Sequence, residues 1–144
     1  MTTTLDPLQL EALFNPRDHG NLVEIASRLV ESPRFDPTVR DYGLDESLFA
    51  LVEGLQWFAQ SIRSGGWTYF ALTSPGRQKR MLDVLWRIGP AGFAAAYESG
   101  MANWRNPERQ RDIDRWVQES EDASSDWLWS LALRGRREIM ALIG

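Results

Sequence analysis

The chain has no cysteine, and histidine and lysine occur once each among its 144 residues. Each shortage removes a class of chemistry. Without thiols there are no disulfides, no thiolate metal sites and no cysteine nucleophile, and one imidazole cannot form the clusters that hold zinc or iron. Long apolar runs are also missing. None approaches the roughly 20 residues that span a bilayer, and the start MTTTLDPLQLEALF lacks the basic segment followed by an apolar one that marks a secretory leader. A cytoplasmic protein without membrane contacts is expected. No segment alternates apolar and polar residues between hairpin turn signals. No HExxH, nucleophile elbow or Ser-His-Asp order occurs, so no metal, cofactor or catalytic residue is expected.

What the chain has in quantity is core material. Apolar residues make up 43%, with seven Trp, six Phe and three Tyr, which suits one domain over residues 1–144 that buries roughly 68–70% of its unfolded surface. The net charge of −4 is unevenly spread. Residues 1–60 hold ten acids against four Arg, and residues 61–144 hold ten acids against eleven Arg and the one Lys. An acidic chain has no general attraction for nucleic acid, so direct nucleic-acid binding is not expected.

The seven prolines punctuate the chain. Asp6-Pro7, Asn15-Pro16, Asp36-Pro37, Ser74-Pro75 and Asn106-Pro107 each place an oxygen-bearing cap before a residue with a preset helical φ, and predict helix starts. The clearest helix runs from about Asp45 to Arg63. Leu48, Leu51, Val52, Leu55, Phe58, Ala59 and Ile62 form its apolar stripe, with Glu46, Glu53, Gln56, Gln60 and Arg63 elsewhere on the wheel. Asp45 is its N-cap, Leu44 and Phe49 its hydrophobic staple, and Gly65 or Gly66 its left-handed end. Further helices follow Pro7, cover Leu22 to Val30, open at Ser74-Pro75 and stop after Ile88 at Gly89-Pro90. Others pass through Phe93, Ala94, Tyr97 and Met101, open at Asn106-Pro107, and run from about Ser125 with a kink at Gly135. The expected fold is all-α, a single compact domain of six to eight short helices.

The stretch RSGGWTYFALTSPG, residues 63–76, is the most unusual in composition. A phosphate cradle needs a glycine loop that leaves a strand and a well-placed Lys, and neither is present. Trp67, Tyr69 and Phe70 near Arg77, Lys79 and Arg80 have the ingredients of a base-stacking platform, but acids outnumber bases along the chain. The reading adopted is a corner, in which Gly65 and Gly66 permit a close reversal and the three aromatic residues fill the space beneath it.

Ser64, Gly65, Gly66, Trp67, Thr68, Tyr69 and Phe70, followed by Leu85, Trp86, Arg87, Ile88, Gly89 and Pro90, resemble a motif of a bacterial family of helical domains named for DNA-mimic proteins and mostly of unknown function. The resemblance covers about residues 44–105. It keeps the apolar frame and glycines but changes the polar positions: Ser64 and Thr73 stand where the family has Asn, and Tyr69 where it has Gln. It therefore implies a helical frame more than an inherited site.

Catalysis has few candidate parts. His19 lies in the polar stretch NPRDHGN, where a solvated imidazole is expected, and Glu46 and Glu53 share a helix face at a spacing any solvated face supplies. The expected role is non-catalytic: a protein that neutralises a specific partner such as a toxin, or a DNA mimic that occupies the basic groove of a DNA-binding protein, with an uncharacterised enzyme as the second alternative. The expected partner surface contains Asp41, Asp45, Glu46 and Glu53, with Trp57 as an exposed anchor beside the apolar stripe. Asp36 extends that acidic group, and Glu119, Glu121, Asp122 and Asp126 form a second one.

Overall fold

The computed structural model describes residues 5–144. Among them it has nine helices and no strand. These are α1 (Pro7–Ala12), α2 (His19–Val30), α3 (Glu46–Arg63), α4 (Gly66–Leu72), α5 (Pro75–Ile88), α6 (Ala91–Asn103), α7 (Pro107–Glu119), α8 (Glu121–Arg134) and α9 (Arg136–Ile143). The fold is all-α, with more helices than the six to eight expected. Two local events make the difference. Residues 66–72 form a helix of their own, and the expected kink at Gly135 is a full break between α8 and α9.

Capping chemistry explains most of the helix starts. Asp6, Asp45, Ser74 and Asn106 each accept a hydrogen bond from the backbone N–H of the third residue of the helix they precede, satisfying one of the donors a helix start leaves free. Two of the five proline signals do not open helices. Asn15-Pro16 lies in the turn before α2, whose N-cap is Asp18. Asp36 accepts the Thr38 N–H at 2.9 Å and its hydroxyl at 2.6 Å, which folds the chain into an Asx turn instead.

Helix α3 is the spine of the domain and packs against α2, α4, α5, α7 and α8. Leu48, Phe49, Ala50 and Leu51 are sealed on every side. Farther along, the expected stripe and the observed one diverge. Glu53, Trp57 and Ser61, four residues apart, are buried towards α4, α6 and α7. Gly54 and Phe58 meet α8 at Leu128 and Trp127. The far end of the apolar stripe is left partly open, with Ile62 54% exposed.

The connection 31–45 is long but tightly held. Arg77 of α5 donates to the carbonyl oxygens of Pro37 at 2.8 Å and of Val39 and Arg40 at 3.3 Å, and its guanidinium lies 4.4 Å from the centre of the Tyr42 ring. Phe35 stacks on the same ring at 4.6 Å. Tyr42 has a φ of 60°, rare for a bulky side chain and sustained only where surrounding contacts overdetermine it.

At the far end of α3 the N–H groups of Ser64 and Gly65 both donate to the Gln60 carbonyl. Gly65 has φ 97° and ψ 142°, a combination essentially confined to glycine. The chain reverses there, and α4 begins at once. Gly66 donates to Asp114 Oδ1 of α7 at 2.9 Å, and a Cβ on it would fall 2.6 Å from Gln110 Nε2. The two glycines thus serve separate needs, backbone conformation and close approach. Beneath the corner Tyr69 and Phe70 are buried, but Trp67 is half exposed and does not fill the space with them. Gln78 closes α4 by donating to the carbonyls of Phe70 and Thr73, both at 2.9 Å. Gly65→Val and Gly66→Val are each expected to destabilise the protein by more than about 1 kcal/mol in chemical denaturation. Unchanged midpoints for both would contradict the corner.

Candidate functional site

Helix α3 carries Glu53 into the interior, where the side chain is 0% exposed. A carboxylate there must be hydrogen-bonded or give up its charge. The hydroxyl of Tyr42 donates to Oε1 at 2.5 Å and that of Tyr69 to Oε2 at 2.7 Å. The hydroxyls of Tyr69 and Tyr97 are 2.6 Å apart. Since Tyr69 uses its one hydroxyl proton on Glu53, Tyr97 is the donor in that contact. The ring of Trp57 meets the edge of Tyr97 at 5.1 Å, and Phe70 meets it at 5.2 Å. Burial raises the Glu53 pKa, while the bonds from Tyr42 and Tyr69 and the charge of Arg77 oppose the rise. Burial, first, with the neighbouring Tyr97 phenol and the Glu53 carboxyl, raises Tyr69 well above the ordinary phenol value.

This arrangement corrects the expected partner surface. Glu53 and Trp57 are both fully buried, so neither is available to a partner as a surface carboxylate or an exposed anchor. The physical reason is that α3 has neighbours on several sides, and α4 and α6 cover the side of the helical wheel that carries Glu53 and Trp57. Asp41, Asp45 and Glu46 remain near the start of α3 and are partly exposed, but each has a bond within the molecule. Asp41 accepts from the Gly43 N–H, Asp45 caps α3, and Glu46 pairs with Arg87 of α5 at 2.7 Å. Hydrogen bonding to Asp45, and then burial, raises Glu138 of α9, while Arg34 at 3.9 Å lowers it. His19 is exposed at the first position of α2. Among the described residues no His, Asp and Glu are grouped to hold a metal ion, and no helix is long and apolar enough to cross a membrane.

Two concave surfaces lie on either side of the end of α3. The first is a groove between α2, α3 and α8, made of adjoining hollows of about 460 and 310 Å³ that share His19, Leu55, Ala59 and Arg63. Its walls include Val23 and Val30 of α2, 42% and 41% exposed, and Ile62. Glu121 and Asp122 line its α8 end. These two, with Glu119 and Asp126, are exposed and make no ion pair among the described residues. The second is an open cleft of about 560 Å³ beside the glycine corner, bounded by Trp67, Trp104, Arg105, Arg111 and Asp114.

The groove was half legible from the sequence. Leu55, Ala59 and Ile62 belong to the stripe read from periodicity, but nothing in that periodicity says which part of a stripe a neighbouring helix leaves uncovered. The cleft joins residues some 40 positions apart, a distance no local pattern spans. No family model matches the chain, and no curated protein and no solved structure matches it.

The buried carboxylate yields a prediction. A carboxyl that binds its proton more tightly in the native than in the unfolded chain stabilises fully below the unfolded pKa, near 4.5, and loses that contribution as pH rises through the higher native value. Glu53→Gln removes this titration. The stability difference, wild type minus Glu53→Gln, is therefore expected to fall as pH rises from about 4 to 8, measured by urea denaturation at each pH. A difference independent of pH would contradict the assignment. Glu53→Ala, which orphans two phenol donors and opens a cavity, is expected to cost about 3 kcal/mol or more.

Proposed function

We propose that the protein is a non-catalytic binding protein of the inhibitor or immunity type, which acts in the cytoplasm by covering part of one protein partner such as a toxin. The observation that carries this reading is the apolar groove between α2, α3 and α8 with unpaired carboxylates at one end. An amphipathic helix suits it: an apolar face meets Val23, Leu55, Ala59 and Ile62, and basic residues at one end meet Glu121 and Asp122. Helix-in-groove recognition uses this combination of stripe and charged margin. The buried Glu53 fits the same reading, because neither the groove nor the cleft is lined by it, which leaves it a structural task.

DNA mimicry is the second reading. It is favoured by the exposed, unpaired Glu119, Glu121, Asp122 and Asp126, together with the motif resemblance over residues 44–105. The acidic group nearer the N-terminus supports it less, since Glu53 is sealed and Glu46 is paired with Arg87.

The two readings separate on what competes for the partner. On the first, a partner captured from the native host is lost with Ala59→Arg, which fills the groove from an exposed position, and duplex DNA does not displace it. On the second, duplex DNA displaces the partner and Ala59→Arg does not. Neutralising Glu121, Asp122 and Asp126 together is expected to slow association several-fold at low ionic strength and much less at high salt. Steady turnover of a small molecule by the pure protein would overturn both readings.

A further inference from the structure

The cleft beside the glycine corner has a chemistry that partner binding through the groove leaves unused. Seven tryptophans occur in the chain, and Trp57, Trp116, Trp127 and Trp129 are each engaged with another aromatic ring. Trp67 and Trp104 are not in any such pair among the described residues, yet both line this cleft. Trp67 leaves half its surface open to solvent. Arg105 and Arg111 line the same cleft, and neither pairs with a carboxylate among the described residues. The guanidinium of Arg105 sits 4.7 Å from the centre of the Trp104 ring, which holds a cation against an aromatic wall.

The third element is a fixed acceptor. Asp114 is anchored through Oδ1, which accepts from the Gly66 N–H at 2.9 Å and from Gln110 Nε2 at 3.0 Å. Its Oδ2 has no hydrogen-bond donor among the described residues. A Cβ at Gly65 would lie 2.9 Å from Trp67 Cδ1 and 3.3 Å from Asp114 Oδ2, so the missing side chain keeps the indole edge and the free carboxylate oxygen side by side and uncovered. Gln110 adds a buried oxygen, Oε1, with no hydrogen-bond partner, and the residue lines the cleft while being only 2% exposed.

We propose that this cleft binds a small ligand of the nucleoside monophosphate class. The base stacks on Trp67, the half-exposed indole of the two, as flat aromatic rings do on exposed indoles. A donor on its edge, an N–H or amino group, meets Asp114 Oδ2, and the phosphate meets Arg105 and Arg111, whose forked donors match phosphate oxygens. The volume of about 560 Å³ falls within the range of small-molecule sites, roughly 300–1,000 Å³. A bare anion leaves the indoles unused, and an uncharged aromatic leaves the two arginines unused. The three features together therefore select a ligand that is both flat and anionic.

The test is titration of the full chain with the four common ribonucleoside monophosphates, the matching nucleosides and inorganic phosphate, followed by calorimetry and by the indole N–H signals in NMR. At least one nucleotide is expected to saturate below about 1 mM, the weak end of ordinary affinities, with shifts at the Trp67 and Trp104 signals and not at the buried tryptophans. Arg105→Gln combined with Arg111→Gln is expected to weaken it at least tenfold, and Trp67→Ala likewise, while the remaining signals keep their positions and report an intact fold. No saturation with any of the four nucleotides would overturn the proposal. So would inorganic phosphate binding as tightly as the nucleotides, which would reduce the site to an anion patch, or binding that survives both sets of substitutions. Ala59→Arg in the groove is expected to leave nucleotide affinity unchanged, so this result stands or falls apart from partner capture.

Discussion

A carboxyl group in the middle of the domain, with no ion pair to a cation among the described residues, is the constraint around which the other elements are arranged. Glu53 is an expensive residue to bury, since a lone charge in a medium of low polarity loses far more hydration than burial of its methylenes returns. It is tolerated because phenols from separate parts of the chain converge on it. Tyr42 comes from the connection 31–45 and Tyr69 from α4, while Tyr97 of α6 orders Tyr69 from behind. Each phenol arrives on a different segment, so the network fixes the mutual placement of four pieces of chain. The left-handed backbone at Tyr42 belongs to the same arrangement: the ring is held between Phe35 and Arg77 while its hydroxyl reaches Glu53.

A second polar node does for the corner what Glu53 does for the centre. Asp114 ties the start of α4 to α7 through Gly66, and the close approach of the two backbones depends on the absence of a side chain there. Together the two nodes hold α4 against α3, α6 and α7, and they leave α3 with unlike surroundings along its length. Its beginning is enclosed. Its end separates two hollows of different character, with Arg63 lining the apolar groove on one side and Ser64 lining the polar aromatic cleft on the other. One helix end thus borders two hollows of unlike chemistry.

Local chemistry was legible wherever the physics is local. The cap-and-proline pairs at Asp6, Ser74 and Asn106 open helices because the bond from the third residue's N–H to the cap oxygen is made within four residues. The special backbone at the double glycine was readable because a positive φ at the end of a long helix nearly always needs glycine. The same signals failed at Asp36-Pro37, where the oxygen serves a turn, and at Asn15-Pro16, where Asp18 caps the next helix instead. Glu53 and Trp57 were misplaced for a different reason. A helical wheel assumes one buried face, and α3 has neighbours on several sides, so a polar wheel position became interior and part of an apolar one became surface.

By itself, then, the sequence determined the class of the fold, most helix boundaries and the chemistry the chain lacks, since these rest on residue type and on interactions a few positions apart. Tertiary structure alone decided which acids are structural and which are free, which tryptophans are core and which are exposed, and which distant residues share a hollow. Those outcomes depend on what lies across from each side chain, and in a helical domain the opposing surface comes from a part of the chain that no local spacing identifies.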